Sequence, residues 1–375
     1  MVNQDILFSS LQEMGIRFFT GVPDSLLNDF CLYLCSHYGN EQHVMAANEG
    51  NAIGIAAGNY MATGNIPVVY MQNSGIGNAT NPLLSLTHHC VYSIPMILVI
   101  GWRGDPAIKD HAQHKKQGEL TPVLMKDMDI PYEILDDDNT VVEKFKWAVT
   151  KAKEISAPVA LIAKKGILTQ KEKHQDYPES TLMNREEAIS AVIDVFGGDV
   201  IYLATTGRAT RELHEQLAIH GIGRDIEFLN VGSMGHVSSV ALGMAIARPD
   251  KKIVVFDGDA ASVMHMGSLA TNGRYQPKNL IHVVLNNGVN ESVGGQPSSG
   301  QIIDLTSIAK ACGYQTPDSF IKTKEELQSV IHELSEKKQF CFIDVHVRQG
   351  IRKDMPKLQI NHQELKQRLM NSLKV

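Results

Sequence analysis

Little in this chain could fasten it from outside. Its five cysteines among 375 residues are scattered and show no CxxC spacing, which excludes a disulfide framework and a cysteine-clustered metal centre. Cys31 and Cys35 lie four apart on an apolar helix face, a spacing that reads as packing. No apolar run approaches the roughly 20 residues of a membrane helix. Met1 to Gly15 carries acids and amides with no apolar signal core, so a soluble, cytoplasmic protein is expected. An excess of basic charge is also missing. With 35 Lys and Arg against 41 Asp and Glu, net charge is −6, and nothing invites nucleic acid or an anionic membrane. No G-x-G-x-x-G follows the first expected strand and no P-loop occurs, which leaves a nucleotide- or NAD-dependent α/β enzyme without support. A hydrophobic content of 43% with 20% charged residues is ordinary for a globular protein, and the length allows two domains.

The informative stretch is in the second half. Ile253-Val254-Val255-Phe256 and Ile281-His282-Val283-Val284-Leu285 are short apolar runs rich in β-branched residues. They read as strands of a parallel sheet buried on both faces. Ser262 to Gly273 between them reads as a crossover helix, giving a βαβ unit. Both runs then end at one carboxyl edge, where open α/β sheets bind ligands. Asp257-Gly258-Asp259-Ala260 and Asn286-Asn287 stand there. A carboxylate and an amide oxygen are hard ligands that, with a phosphate, suit Mg²⁺. Gly258 and Ala260 leave room for a diphosphate against the backbone.

In the first half, strands are expected at 16–20, 43–46, 67–71, 95–100 and 158–163. The turn Gly21-Val22-Pro23-Asp24-Ser25 leads into a helix that Asp24 or Ser25 caps; the free amides of that helix start could equally hold a substrate anion. Glu49 is the one carboxylate in the small-residue stretch from Ala47 to Gly58. The segment from Gly101 to Gly118 is expected as a long loop bearing Arg103, His111, His114, Lys115 and Lys116, at a strand end where loops often carry function. Residues 166–183 are polar and aperiodic and read as a linker, after which Asn184 and Glu187 resemble a capping box. The second half then echoes the first, with a small-residue helix after a short strand followed by a Val-rich strand. Laid over that pattern, Ser74 falls where Asp259 stands. Residues 288–300, with three glycines, are expected as a mobile loop.

The ordered set Gly-Val-Pro-Asp-Ser, Asn48-Glu49-Gly50-Asn51-Ala52, Trp102-Arg103-Gly104-Asp105-Pro106, Gly232-Ser233-Met234-Gly235-His236, Asp-Gly-Asp-Ala and Asn286-Asn287-Gly288-Val289 resembles the thiamin-diphosphate (ThDP) enzymes, and among them the phosphonopyruvate decarboxylases, with the sulfopyruvate decarboxylases as near kin. The resemblance implies two doubly wound parallel-sheet α/β domains, 1–165 for the pyrimidine and 184–375 for the diphosphate and Mg²⁺, with no central domain. It implies decarboxylation of 3-phosphonopyruvate to phosphonoacetaldehyde within phosphonate biosynthesis. Mg²⁺ would be held by Asp259, Asn287 and the Val289 carbonyl. Thr206, Gly207, Gly258 and Ala260 would cradle the diphosphate, and Gly232, Ser233, Met234 and Gly235 would contact the pyrimidine. Asn73 is also placed at the cofactor, and Glu49 would bond the aminopyrimidine ring. Asp24, Arg103 and His114 complete the catalytic set; from composition, Arg103 is expected to grip the phosphonate, with His111, His114 or Lys116 adding charge. A homodimer or larger assembly, with the site at the subunit interface, is implied too. One departure is that the metal-binding run begins Phe256-Asp257 instead of the family's usual Gly-Asp-Gly.

Overall fold

The computed structural model describes residues 2–168, 177, 179–337 and 339–374. The expected linker, 166–183, lies partly outside them. The chain divides into two compact units, Met1–Gln175 with Ser292–Gln296, and Asp176–Glu291 with Pro297–Val375. Among the described residues, no helix is long and apolar enough to cross a membrane.

The first unit is built on six parallel strands, β1 (Phe19–Gly21), β2 (His43–Met45), β3 (Val68–Gln72), β4 (Ile97–Gly101), β5 (Tyr132–Leu135) and β6 (Val159–Ala163), in the order β2-β1-β3-β4-β6-β5. Alternation along β3 shows why the apolar runs are continuous. Val68 and Tyr70 join one core with Leu7, Phe19 and Phe30. Val69 and Met71 join the other with Ala52, Ile53 and Leu98. A sheet covered on both faces needs no polar face on its inner strands.

The second unit carries β7 (Val200–Ala204), β8 (Glu227–Leu229), β9 (Lys252–Gly258), β10 (Leu280–Asn286) and a last strand Cys341–His346, all parallel, in the order last-β10-β9-β7-β8. Numbered within each unit, the first four strands run 2-1-3-4 in both. The echo between the halves is therefore present in topology. The strand order reverses between β1 and β3 in one unit and between β7 and β9 in the other, and such switch points open a crevice at the carboxyl edge. The capping box also forms. Glu187 N–H donates to Asn184 Oδ1 at 2.8 Å, and Asn184 N–H to the Glu187 carboxylate at 2.6 Å.

Two expectations are corrected, and one strand was missed. The loop from Gly101 to Gly118 ends early, because a helix spans Ala112–Asp127 and takes in His114, Lys115, Lys116 and Gly118. That helix packs backbone to backbone, since a Cβ at Gly118 would collide with Gly104, so it leaves no apolar stripe to read. The crossover helix is two pieces, Asp259–Met264 and Gly267–Tyr275, broken at His265. β5 went unread because it is an edge strand with Tyr132, Glu133 and Ile134 only half-buried.

Candidate active site

At the crevice of the second unit, β7 and β9 lie side by side with Ala204 opposite Phe256. Thr205 N–H donates to the Phe256 carbonyl at 2.8 Å, and its buried Oγ1 has no partner among the described residues. Thr206 and Gly207 turn away from the sheet, and Gly207 adopts φ +110°, where an L side chain is strained. A Cβ added at Gly258 would touch only Thr205 Cγ2, at 3.8 Å, so the backbone can be approached closely there. The turn Gly232-Ser233-Met234-Gly235 packs against the first crossover piece. A Cβ at Gly235 would stand 2.7 Å from the His265 ring and 2.9 Å from the Ala261 carbonyl, and φ is +81°.

Asp259 and Asn287 are brought together. Asp259 is 2% exposed. Its carboxylate accepts backbone N–H bonds from Ala260 and Asn287 and a hydroxyl bond from Ser298. Burial nevertheless pushes its carboxyl up to about 6. Among the described residues, no Lys, Arg or His forms an ion pair with it. A buried carboxylate without a counter-charge is costly, and a hard cation is what this arrangement of Asp259, the Asn287 amide oxygen and the Val289 backbone suits. Asn287 Oδ1 accepts Val289 N–H at 3.2 Å while its Nδ2 donates to Glu291 at 3.1 Å. The two ends of the expected mobile loop are joined, with Ser298 N–H on the Gly288 carbonyl at 2.8 Å and Gln301 Nε2 on the Asn286 carbonyl at 3.2 Å.

In the first unit, Glu49 opens the helix Glu49–Thr63, where Asn48 caps the chain by accepting Asn51 N–H. The dipole favours an acid there. Glu49 is 5% exposed. Asn78 Nδ2 donates to its Oε2 at 2.8 Å, and its carboxylate lies so close to Gly75 that a Cβ on Gly75 would collide with it. Asn73, expected at the cofactor, uses its amide otherwise. Its Nδ2 donates to the Arg103 carbonyl at 2.7 Å and to Thr121 Oγ1 at 2.9 Å, and its Oδ1 accepts Arg103 N–H at 3.2 Å. It thereby staples the Arg103 segment to the end of β3.

Arg103, Asp24 and His114 gather at one place, but not as a cluster of free positive charge. Arg103 makes a bidentate pair with Asp110, at 2.9 and 2.8 Å, and reaches Ser25 Oγ at 3.3 Å. Its guanidinium holds the Asp110 carboxyl well below the usual range. Burial, helped by the charge of Arg103, pulls His114 down to about 4, so it is neutral at physiological pH, and its buried Nδ1 lacks a partner among the described residues. Lys116 is exposed and paired with Glu119 at 2.8 Å. Asp24 is fully buried. Its Oδ2 accepts Leu26 N–H at 3.1 Å, its Oδ1 has no partner among the described residues, and burial lifts it to about 6 against the lowering charge of Arg103. Asp110 and Ser298 were missed from sequence. Asp110 sits seven residues from Arg103 and had a local signal, whereas Ser298 had none.

Residues 1–125 match the family described as thiamine pyrophosphate enzyme, N-terminal TPP binding domain, and residues 205–345 match its C-terminal TPP binding domain. The chain is 31% identical to a phosphonopyruvate decarboxylase of Streptomyces viridochromogenes over 84% of this chain and 81% of the relative. It is 28% identical to a sulfopyruvate decarboxylase of Methanosarcina acetivorans over 90% of this chain and 89% of that one. The beta and alpha subunits of a sulfopyruvate decarboxylase of Methanocaldococcus jannaschii are each 33% identical over 40% and 42% of this chain, and over 78% and 89% of their own lengths.

Proposed function

This chain belongs to the thiamin-diphosphate enzymes, as a ThDP-dependent decarboxylase, and from that premise we propose that its substrate is 3-phosphonopyruvate, converted to phosphonoacetaldehyde and CO₂ in phosphonate biosynthesis. The observation that carries the substrate reading is Arg103. Its fork already grips a planar oxyanion, the Asp110 carboxylate, in the geometry that also suits a phosphonate. The name of the Streptomyces relative points the same way.

Bound ThDP supplies the electron sink that lets CO₂ leave a 2-oxoacid. The remaining work falls to this chain. Asp259, Asn287 and the Val289 carbonyl hold Mg²⁺. Thr206, Gly207, Gly258 and Ala260 surround the diphosphate, and Gly232 to Gly235 face the pyrimidine. Glu49, fixed by Asn78 and by the missing side chain at Gly75, hydrogen-bonds the aminopyrimidine ring. Asp24 and neutral His114 border the substrate beside Arg103. Residues 1–165 and 184–375 are the two domains, joined by 166–183, and the working form is a homodimer or larger assembly in which each site is completed across subunits.

The test is CO₂ release from phosphonopyruvate, sulfopyruvate and pyruvate, each with and without ThDP and Mg²⁺. Turnover of phosphonopyruvate that needs both additions supports the reading. The match to the Methanosarcina relative makes sulfopyruvate the competing substrate, and a higher kcat/KM on it would replace phosphonopyruvate.

A further inference from the structure

Asn287 is a primary amide, and an amide can present either its oxygen or its nitrogen to a neighbour. Two contacts decide which. Val289 N–H donates to Oδ1 at 3.2 Å, and Nδ2 donates to Glu291 Oε2 at 3.1 Å. A carboxylate flanked by cations accepts and does not donate, so a rotated amide would lose both bonds at once and set oxygen against oxygen.

Glu291 is itself held from every side. It is 7% exposed. Arg185 Nη1 donates to its Oε2, and the Gly350 N–H donates to its Oε1. Arg208 Nη1 lies 3.1 Å from Oε1, and Arg208 Nη2 donates to the Glu291 backbone carbonyl at 3.3 Å. Arg185 is fixed in turn by Glu212, through bonds of 2.8 and 2.9 Å, and by the Gly350 carbonyl at 2.9 Å. Buried Arg185, Glu212 and Glu291, with half-buried Arg208, thus form a hydrogen-bonded network whose one link to the Asp259–Asn287 edge, among these bonds, is the Asn287 amide.

We propose that Glu291 is a positioning residue for cofactor anchoring, locking the Asn287 side chain so that its oxygen faces the metal. The proposal rests on the metal role given to Asp259 and Asn287 above. Partners that orient a ligand typically change metal affinity by about 10–100-fold when removed. A merely structural network would lower stability and leave the affinity of the folded protein unchanged.

The experiment compares the wild type with Glu291→Gln, Glu291→Asp, Glu212→Gln and Asp259→Asn. Thermal unfolding reports stability, and calorimetric titration with Mg²⁺ at fixed, excess ThDP reports affinity without turnover. Glu212→Gln is the control, because Glu212 shares Arg185 but does not touch Asn287. Glu291→Asp keeps the charge for both arginines and withdraws it from the amide, so it serves if the Gln variant does not fold. Expected is a Kd for Mg²⁺ raised about 10–100-fold in the Glu291 variants, with Glu212→Gln near wild type despite a lowered Tm. Unchanged Mg²⁺ affinity in the folded Glu291 variants, or equal weakening in Glu212→Gln, overturns the proposal. If Asp259→Asn also binds like wild type, it is the metal reading itself that has failed.

Discussion

Replacing Asp24 with Asn should make the protein more stable and less active, and the gain in stability should depend on pH in a definite way. The carboxyl of Asp24 is fully buried, with one oxygen unpartnered, and its pKa rises from 3.8 to about 6 chiefly through desolvation. A raised carboxyl binds its proton more tightly folded than unfolded. The wild type therefore carries no penalty below about pH 3.8, an increasing one between 3.8 and 6, and the full one above 6. A shift of roughly 2.2 units at 1.36 kcal/mol each gives a ceiling of about 3 kcal/mol at pH 8, with about half of that present at pH 5. Asn can still accept the Leu26 N–H, so the cap survives. For a unit of this size the ceiling corresponds to about 6–12 °C in Tm. Thermal or urea unfolding of both proteins from pH 4 to pH 8 measures the difference, and decarboxylation is assayed alongside. If the variant is less stable than wild type at pH 8, or its advantage is the same at pH 4.5 and 8, Asp24 is a satisfied anion paired with Arg103 and this reasoning fails.

Arg103→Ala should raise KM for phosphonopyruvate far more than for pyruvate in steady-state assays; equal effects on both would remove its role with the phosphonate. Gly75→Ala places a methyl against the Glu49 carboxylate, so ThDP binding should weaken by at least about tenfold, as in other losses of precise ligand positioning, while the circular-dichroism spectrum stays native. Asp259→Asn should abolish the Mg²⁺ dependence of ThDP binding in equilibrium titrations. Asn184→Ala breaks the capping box and should cost about 1 kcal/mol in denaturant unfolding without changing kcat.

Strands in the two sheet interiors were legible because both faces are buried and the chain writes them as unbroken apolar runs. The runs 253–256 and 281–285 fall inside the strands Lys252–Gly258 and Leu280–Asn286. β5, at a sheet edge, had no such pressure and was missed. The helix Ala112–Asp127 was read as loop for a related reason, since it packs through Gly118 and the bond from Trp102 Nε1 to the Gly118 carbonyl, and its surface is charged. Asp259 and Asn287 stood out because each follows an apolar run, and Glu49 because it is the one carboxylate in a small-residue stretch. Their supporting partners did not. Arg185 and Glu291 are 106 positions apart, and no local pattern announces a pairing made only when the chain folds. The charge expected from His114 and Lys116 beside Arg103 is tempered, because burial keeps His114 neutral and Lys116 pairs with Glu119, and counting cations in a segment overlooks Asp110, which folds back onto Arg103.

The Arg103–Asp110 clasp means that the resting protein carries its own imitation of a ligand. Under the role proposed for Arg103, a newcomer competes with Asp110 for the Nε–Nη2 edge of the guanidinium, so binding there becomes an exchange of one anion for another. Monoanions such as acetate or chloride gain little from the swap, whereas a doubly charged group gains a second attraction. Discrimination against the small anions that crowd a cell would then come from this internal competitor as much as from the shape of the crevice, and shortening or neutralising Asp110 would make the protein greedier and less choosy.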